Sequence, residues 1–157
     1  MTRRLAITVT AALTVGMLAV GCGDDDSGTA TPATTADSGS SAGGALQVDM
    51  GEYSFSPQDA TAQAGSVTIS APNVGALVHE LVLAKTDEDA TALPTIADGD
   101  VDEAKLEAQE KIAGEIADVE AGATKEGTFE LTPGNYVMFC NIPGHYAEGM
   151  YGTLTVE

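Results

Sequence analysis

Short runs of alternating polar and apolar residues recur along the second part of this chain, with turn residues between them. The runs are Ser66–Ser70, Leu77–Leu83, Thr128–Leu131, Tyr136–Cys140 and Tyr151–Val156. Pro133-Gly134 separates two of them and is typical of a tight turn. Because a period of two places one face of a strand in a core, the pattern predicts an all-β sandwich or barrel over residues 46–157.

One segment of this domain departs from the alternation. Asp102–Val119 combines good helix formers with apolar residues at Leu106, Ile112 and Ile116. This spacing predicts a helix. The helix would lie on an insertion, Lys85–Lys125, between two strands.

The N-terminal part of the chain has a different composition. Residues 1–21 contain two arginines followed by a short apolar run, which predicts a secretory signal peptide. The run ends Leu18-Ala19-Val20-Gly21-Cys22, which resembles the lipobox of bacterial lipoproteins. That resemblance implies an acylated Cys22 as the mature N-terminus and a membrane anchor; an ordinary signal peptide is the alternative. Residues 22–45 are rich in Gly, Ser, Thr, Ala and Asp and predict a disordered tether.

The charge and histidine counts exclude several classes of function. Twenty-four acidic residues against six basic ones give a formal net charge of −18, which argues against a nucleic-acid partner. Two histidines are too few for a multi-copper or multi-zinc enzyme. Neither His79 nor His145 lies in a nucleophile motif such as G-x-S-x-G. We therefore expect a protein that is not an enzyme. We also expect it to be a monomer.

The residues that carry chemistry are concentrated in one loop near the C-terminus. Cys140, His145 and Met150 form a C-x4-H-x4-M pattern between two predicted strands, and His79 offers a second imidazole upstream. Sulfur and imidazole ligands favour copper over hard cations such as calcium. Two His, one Cys and a weakly bound Met form the ligand set of a blue-copper electron-transfer centre.

With these residues the sequence resembles the cupredoxins, especially the bacterial plastocyanin/auracyanin-like branch and the small lipoprotein cupredoxins. The matching positions are Asn73, His79, Tyr136, Cys140, His145, Met150, Gly152, Leu154 and Val156. The resemblance implies that His79, Cys140 and His145 are the equatorial ligands of one type 1 copper ion. Met150 would be the axial ligand. It also implies a Greek-key β-sandwich with copper at one end.

The neighbours of the ligands are expected to tie the ligand loops together or to form a patch that contacts redox partners. These residues are Glu80, Asn141, Ile142, Pro143 and Tyr146. Many plastocyanins and azurins have Asn after the upstream His ligand, whereas this chain has Glu80. A carboxylate at this position could accept hydrogen bonds from loop amides.

Two functions fit this ligand set. The first is an electron carrier that is exported and lipid-anchored at the outer face of the cytoplasmic membrane or in the periplasm, and that shuttles electrons between redox proteins. The second is a copper-binding protein for delivery, storage or resistance. A third reading is an accessory subunit of a larger oxidase. Methionine-rich repeats or histidine tracts would favour delivery, and the sequence contains neither.

Overall fold

The computed structural model describes residues 44–157 of the chain. Within this part the strands are β1 Ala45–Gln47, β2 Asp49–Gly51, β3 Ser54–Ser56, β4 Asp59–Ala62, β5 Gly65–Pro72, β6 His79–Lys85, β7 Ile112–Val119, β8 Thr124–Leu131, β9 Gly134–Phe139 and β10 Tyr151–Val156. One helix, α1, spans Glu103–Ala108. The predicted signal peptide, Cys22 and nearly all of the predicted tether lie outside the described residues.

The strands form two main sheets and a small hairpin. The five-stranded sheet has the order β4-β10-β9-β6-β7, the three-stranded sheet has the order β1-β5-β8, and β2 pairs with β3. The chain crosses between the sheets, since β8 pairs with β5 while β7 and β9, its neighbours in sequence, lie in the larger sheet. The expected Greek-key sandwich is confirmed.

The central strands of the five-stranded sheet, β6 and β9, are buried on both faces. On β6, Leu81 and Leu83 belong to the main core, whereas Val82 and Ala84 belong to a second apolar cluster. Successive side chains of a strand point to opposite faces, so the two clusters lie on opposite sides of the sheet. This explains why Leu77–Leu83 contains more apolar residues than a strand with one solvent-exposed face.

The second cluster is formed with the connection between β6 and β7, residues 86–111, which we call the excursion. It contributes buried apolar residues that cover the outer face of β6 and β9: Ala90, Leu93, Val101 and Leu106. Helix α1 lies within it, and the side chain of Asp102 caps the helix by accepting a hydrogen bond from the N–H of Lys105 at 3.0 Å.

The predicted helix over Asp102–Val119 is wrong in its second half. Helix α1 ends at Ala108, and Glu110 follows with a φ of +55°, a left-handed conformation that does not continue a helix. Ile112–Val119 is strand β7, antiparallel to β6 at the edge of the larger sheet.

Tertiary packing decides the conformation of this segment. In β7, Ile116 and Val119 enter the main core. Gly114 lies directly beside the ring of Phe129 on β8, where a Cβ atom would collide with the ring. Gly114 weakens a helix, and in the strand its missing side chain makes room for the aromatic ring.

No helix within residues 44–157 is long and apolar enough to span a membrane.

Candidate metal centre

Two neighbouring strands bring His79 and Cys140 to the same end of the larger sheet. His79 is the first residue of β6, and Cys140 directly follows β9. The two strands are antiparallel, with Val82 opposite Phe139. The beginning of β6 therefore lies beside the end of β9, and the sheet itself positions two of the four predicted ligands.

The loop between β9 and β10 supplies the other two predicted ligands. It is closed by backbone hydrogen bonds: the N–H of Cys140 donates to the carbonyl of Met150 at 3.1 Å, and the N–H of Met150 donates to the carbonyl of His145 at 3.0 Å. Gly144 has a φ of +84°, which glycine adopts without strain. This turn directs the chain after Pro143 back toward the end of the sheet.

The ligating atoms of His79, Cys140 and His145 converge. The two Nδ1 atoms are 3.2 Å apart, and the Sγ of Cys140 is 3.3 Å from the Nδ1 of His145. The three donor atoms all lie within 4.8 Å of one another, and all three residues are buried. Met150 is also fully buried, in the same core cluster as Cys140. The structure thus brings the four predicted ligands to one place.

Burial favours the neutral form of both imidazoles. It lowers the pKa of His79, and the charge of a protonated His145 would lower it further. Burial also lowers the pKa of His145, against an opposing effect of the Asp100 carboxylate. A neutral imidazole presents the lone pair that a metal needs. The Nε2 of His79 has no hydrogen-bond partner among the described residues.

The thiol of Cys140 is protonated when no metal is present. Burial is the largest cause that raises its pKa, to about 11. Burial thus favours the uncharged forms of the thiol and of both imidazoles. A metal cation would displace the thiol proton, since a cysteine ligand binds as the thiolate.

The donor set fits copper, and the spacing of the donor atoms fits a bound metal ion. Around an ion with metal–N bonds of about 2.0 Å and metal–S bonds of about 2.3 Å, neighbouring ligand atoms lie roughly 3.3–3.7 Å apart. The observed separations of 3.2 and 3.3 Å are close to this range. No carboxylate belongs to the cluster of possible ligands found among residues 44–157. Calcium and magnesium, which prefer oxygen ligands, are therefore excluded.

Glu80 links the two strands that carry His79 and Cys140. Its Oε1 accepts a hydrogen bond from the backbone N–H of Asn141 at 2.8 Å. A carboxylate therefore accepts a hydrogen bond from a loop amide at this position. Burial is the largest cause that raises the pKa of Glu80, to about 7.

Asn73 fixes the turn that precedes His79. Its side-chain amide donates to the carbonyls of Leu77 at 2.7 Å and Val119 at 2.8 Å, and its Oδ1 accepts from the N–H of Gly75 at 3.0 Å. The residue is buried; the bonds to Leu77 and Gly75 close the 73–77 turn, and the bond to Val119 holds it against the end of β7. Such contacts set the position of the backbone from which a ligand projects.

The surface around His145 differs from the expected patch. Tyr146 is buried in the second cluster, so the expectation that it lies in an exposed patch is wrong. Ile142 is half-buried against the main core and Pro143 is exposed. The ring of Tyr53 makes an edge-to-face contact with the ring of His145, with the centroids 5.3 Å apart.

Sequence reasoning missed Tyr53 because it lies in the turn between β2 and β3, far from either ligand segment in sequence. It is 38% exposed, and Val74 and Leu77, on the turn before His79, are exposed as well. The side chain of Glu52 joins the two turns by accepting from the N–H groups of Ala76 and Leu77. An aromatic residue outside the ligand loops gives no sequence signal of such a contact.

Comparison with known sequences gives one family. The sequence model described as copper binding proteins of the plastocyanin/azurin family matches residues 42–157. No significant match was found among curated protein sequences.

Solved structures with a similar fold include two auracyanins and an azurin, and the description of auracyanin A names it a blue copper protein. Auracyanin from the photosynthetic bacterium Roseiflexus castenholzii is 28% identical, with a TM-score of 0.58 over 72% of this chain and 96% of that one. Auracyanin A from Chloroflexus aurantiacus is 26% identical, with a TM-score of 0.52 over 72% of this chain and 99% of that one. An azurin from Methylomonas sp. strain J shares the fold at 21% identity, with a TM-score of 0.54 over 72% of this chain and 97% of that one.

Proposed function

The chain belongs to the plastocyanin/azurin family of copper-binding proteins, and from this premise we propose that it carries single electrons between redox proteins through one type 1 copper site. The observation that carries the proposal is the convergence of the Cys140 sulfur and the Nδ1 atoms of His79 and His145 in a buried site. Two similar structures support it. Auracyanin A is described as a blue copper protein, and the Roseiflexus auracyanin was studied after reduction by dithionite.

Copper bound by this donor set would supply a one-electron couple between Cu(I) and Cu(II). The chain holds the ligands on two hydrogen-bonded strands and a closed loop, so few of its atoms need to move when the charge changes. His79, Cys140 and Met150 are fully buried, which excludes water and retains the metal. These features support a carrier over a delivery protein, which must release its metal.

His145 is the ligand closest to solvent. It is 6% exposed, whereas His79 and Cys140 are completely buried. Electrons would therefore enter and leave through the His145 edge, which Tyr53 borders. We define the exposed residues on the turns around this edge as the docking patch: Tyr53, Val74, Leu77 and Pro143.

The decisive experiment is the visible and electron paramagnetic resonance spectrum of the chain loaded with Cu(II). We expect an intense thiolate-to-copper charge-transfer band that disappears on reduction and returns on reoxidation. Cys140→Ser should lose the band while both imidazoles remain. A colourless copper-loaded wild type contradicts a type 1 site. Rapid loss of Cu(I) to a moderate chelator would instead favour delivery.

We further propose that the chain is exported and held at a membrane surface by acylation of Cys22. The proposal is supported by the apolar run and the lipobox-like sequence that ends at this cysteine. Two acyl chains are sufficient for stable attachment. Mass spectrometry of the membrane fraction should find an acylated N-terminal Cys22, and Cys22→Ser should be recovered in the soluble fraction. A soluble wild type with an unmodified Cys22 rules out the anchor.

A further inference from the structure

The excursion, residues 86–111, contacts the ligand loop next to Cys140 and next to His145. Asn141, which follows Cys140, makes two hydrogen bonds with the backbone of Val101. Its Oδ1 accepts from the Val101 N–H at 2.6 Å, and its Nδ2 donates to the Val101 carbonyl at 3.0 Å. Nδ2 also donates to Oε1 of Glu103 at 2.8 Å. The side-chain amide of Asn141 is therefore used in full by the excursion.

A second contact precedes His145. Oδ1 of Asp100 accepts a hydrogen bond from the backbone N–H of Gly144 at 2.7 Å. Asp100 is held in a tight turn, because the N–H of Ile96 donates to its carbonyl at 3.0 Å. The same turn packs against Ala147, which lies close to the α-carbon of Gly99.

A third contact follows His145. The hydroxyl of Tyr146 donates to the carbonyl of Ala90 at 2.7 Å and accepts from the N–H of Leu93 at 3.2 Å. Its ring packs against Phe139 in the second cluster. The Ala90 carbonyl and the Leu93 N–H are buried backbone groups, and the hydroxyl gives each of them a hydrogen-bond partner. Without a partner, each buried group would destabilise the fold.

We propose that the excursion is a brace that positions Cys140 and His145 for copper, with Asn141 and Asp100 as the positioning residues. The proposal rests on the copper site proposed above and adds the part of the chain that holds it rigid. Each residue next to Cys140 or His145 in the loop is hydrogen-bonded to the excursion: Asn141, Gly144 and Tyr146. The β-sandwich holds this loop at Cys140 and Met150, and also through Glu80 at Asn141 and through the core contacts of Ile142. It makes no hydrogen bond to Gly144 or Tyr146 among those found within residues 44–157.

The brace acts before the metal arrives. All of its contacts join protein atoms to protein atoms, so they hold the ligand loop in the copper-free protein. A loop that is already in place does not need to be ordered on binding, and it keeps its shape when the metal changes charge. The hydrogen bonds to Asp100 and Asn141 should therefore affect the spectrum and the retention of copper, as well as the stability of the fold.

The test compares three substitutions on one turn. Asp100→Ala removes the acceptor for the Gly144 N–H, whereas Asp100→Asn keeps an acceptor and removes only the charge. Asp98→Asn removes an equivalent charge two residues away, from an exposed side chain that makes no hydrogen bond within residues 44–157. Asn141→Ala tests the other end of the ligand loop and would serve alone if Asp100→Ala did not fold.

The primary readout is amide hydrogen exchange of Gly144 in the copper-free protein, measured by NMR. Losing the hydrogen bond in Asp100→Ala should speed exchange about tenfold, and Asp100→Asn and Asp98→Asn should stay near the wild-type rate. In the copper-loaded protein, Asp100→Ala and Asn141→Ala should alter the charge-transfer band and lose Cu(I) faster to a chelator.

Wild-type exchange at Gly144 in Asp100→Ala, or wild-type spectra and copper retention in both Asp100→Ala and Asn141→Ala, would overturn the brace. The exchange measurement needs no copper, so it stands even if the copper-loaded wild type is colourless and the proposed function fails.

Discussion

At the scale of single residues, the centre depends on side chains that bond to the ligand segments. Glu80 is the clearest case, because it follows one ligand and accepts a hydrogen bond from the residue after another. It takes the position of the Asn found in many plastocyanins and azurins, and its carboxylate can only accept hydrogen bonds when ionised. The effect of this hydrogen bond can be separated from the effect of the carboxylate charge by comparing two substitutions.

Glu80→Ala should destabilise the domain relative to Glu80→Gln by about 1–3 kcal/mol, because it leaves the Asn141 N–H without its acceptor in a partly buried place. Glu80→Gln retains a side-chain oxygen and serves as the control. The free energies of unfolding should be measured in urea on the copper-free proteins. Equal stability of the two variants would show that the hydrogen bond contributes nothing.

Met150 should tune the reduction potential. In Met150→Leu the weak thioether donor is lost, and since that donor stabilises Cu(II), the potential should rise while the colour persists. Met138→Leu makes the same change at another fully buried methionine of the main core and should leave the potential unchanged. Cyclic voltammetry of both variants checks this. Complete loss of copper from Met150→Leu would mean that Met150 is a primary ligand.

The ligands could be predicted from sequence because three of them lie within eleven residues, in a spacing that a closed loop between two strands requires. His79 was identifiable because it is the only histidine in the sequence besides His145. Tyr53 was not, since its contact with His145 depends on a hairpin turn from elsewhere in the chain. The burial of Tyr146 was also missed, because the excursion that covers it has no sequence motif.

At the scale of elements, the segment 102–119 shows how packing overrides propensity. Good helix formers continue beyond Glu110, yet α1 ends at Ala108, and from Ile112 onward the open edge of β6 offers hydrogen bonds that β7 satisfies. Gly114 suits the strand at this position, since the ring of Phe129 occupies the space that a side chain would need. A sequence pattern read within one segment contains no information about a ring on another strand.

Gly114→Ala should therefore destabilise the domain by about 1–3 kcal/mol, because the added methyl group overpacks the Phe129 ring. The control is Gly44→Ala, where a Cβ atom meets no other atom within 4 Å. Urea unfolding of both variants measures the difference. Gly114→Ala combined with Phe129→Leu should recover part of the lost stability. Wild-type stability of Gly114→Ala alone would show that the ring moves freely out of the way.

At the scale of the whole molecule, a strongly acidic chain presents exposed apolar residues around His145, with the carboxylate of Glu52 between their turns. The formal net charge is −18, yet the docking patch around His145 consists of Tyr53, Val74, Leu77 and Pro143. Charges placed around an apolar contact steer approach over long distances, whereas the patch itself is dehydrated in a complex. This arrangement predicts a cationic redox partner and a strong effect of salt on the rate of encounter.

The salt effect can be measured without knowing the partner, by using small oxidants of opposite charge. Oxidation of the reduced protein by the tris(phenanthroline)cobalt(III) cation should slow as salt is added, because attraction over about 30 Å at 0.01 M ionic strength shrinks to about 10 Å at 0.1 M. Oxidation by ferricyanide, an anion that the protein repels, should become faster over the same range and is the matched control. Stopped-flow absorbance of the charge-transfer band gives both rates. If both oxidants show the same salt dependence, or none, then the acidic surface does not act at the His145 edge, and the charge of the protein plays no part in selecting its partner.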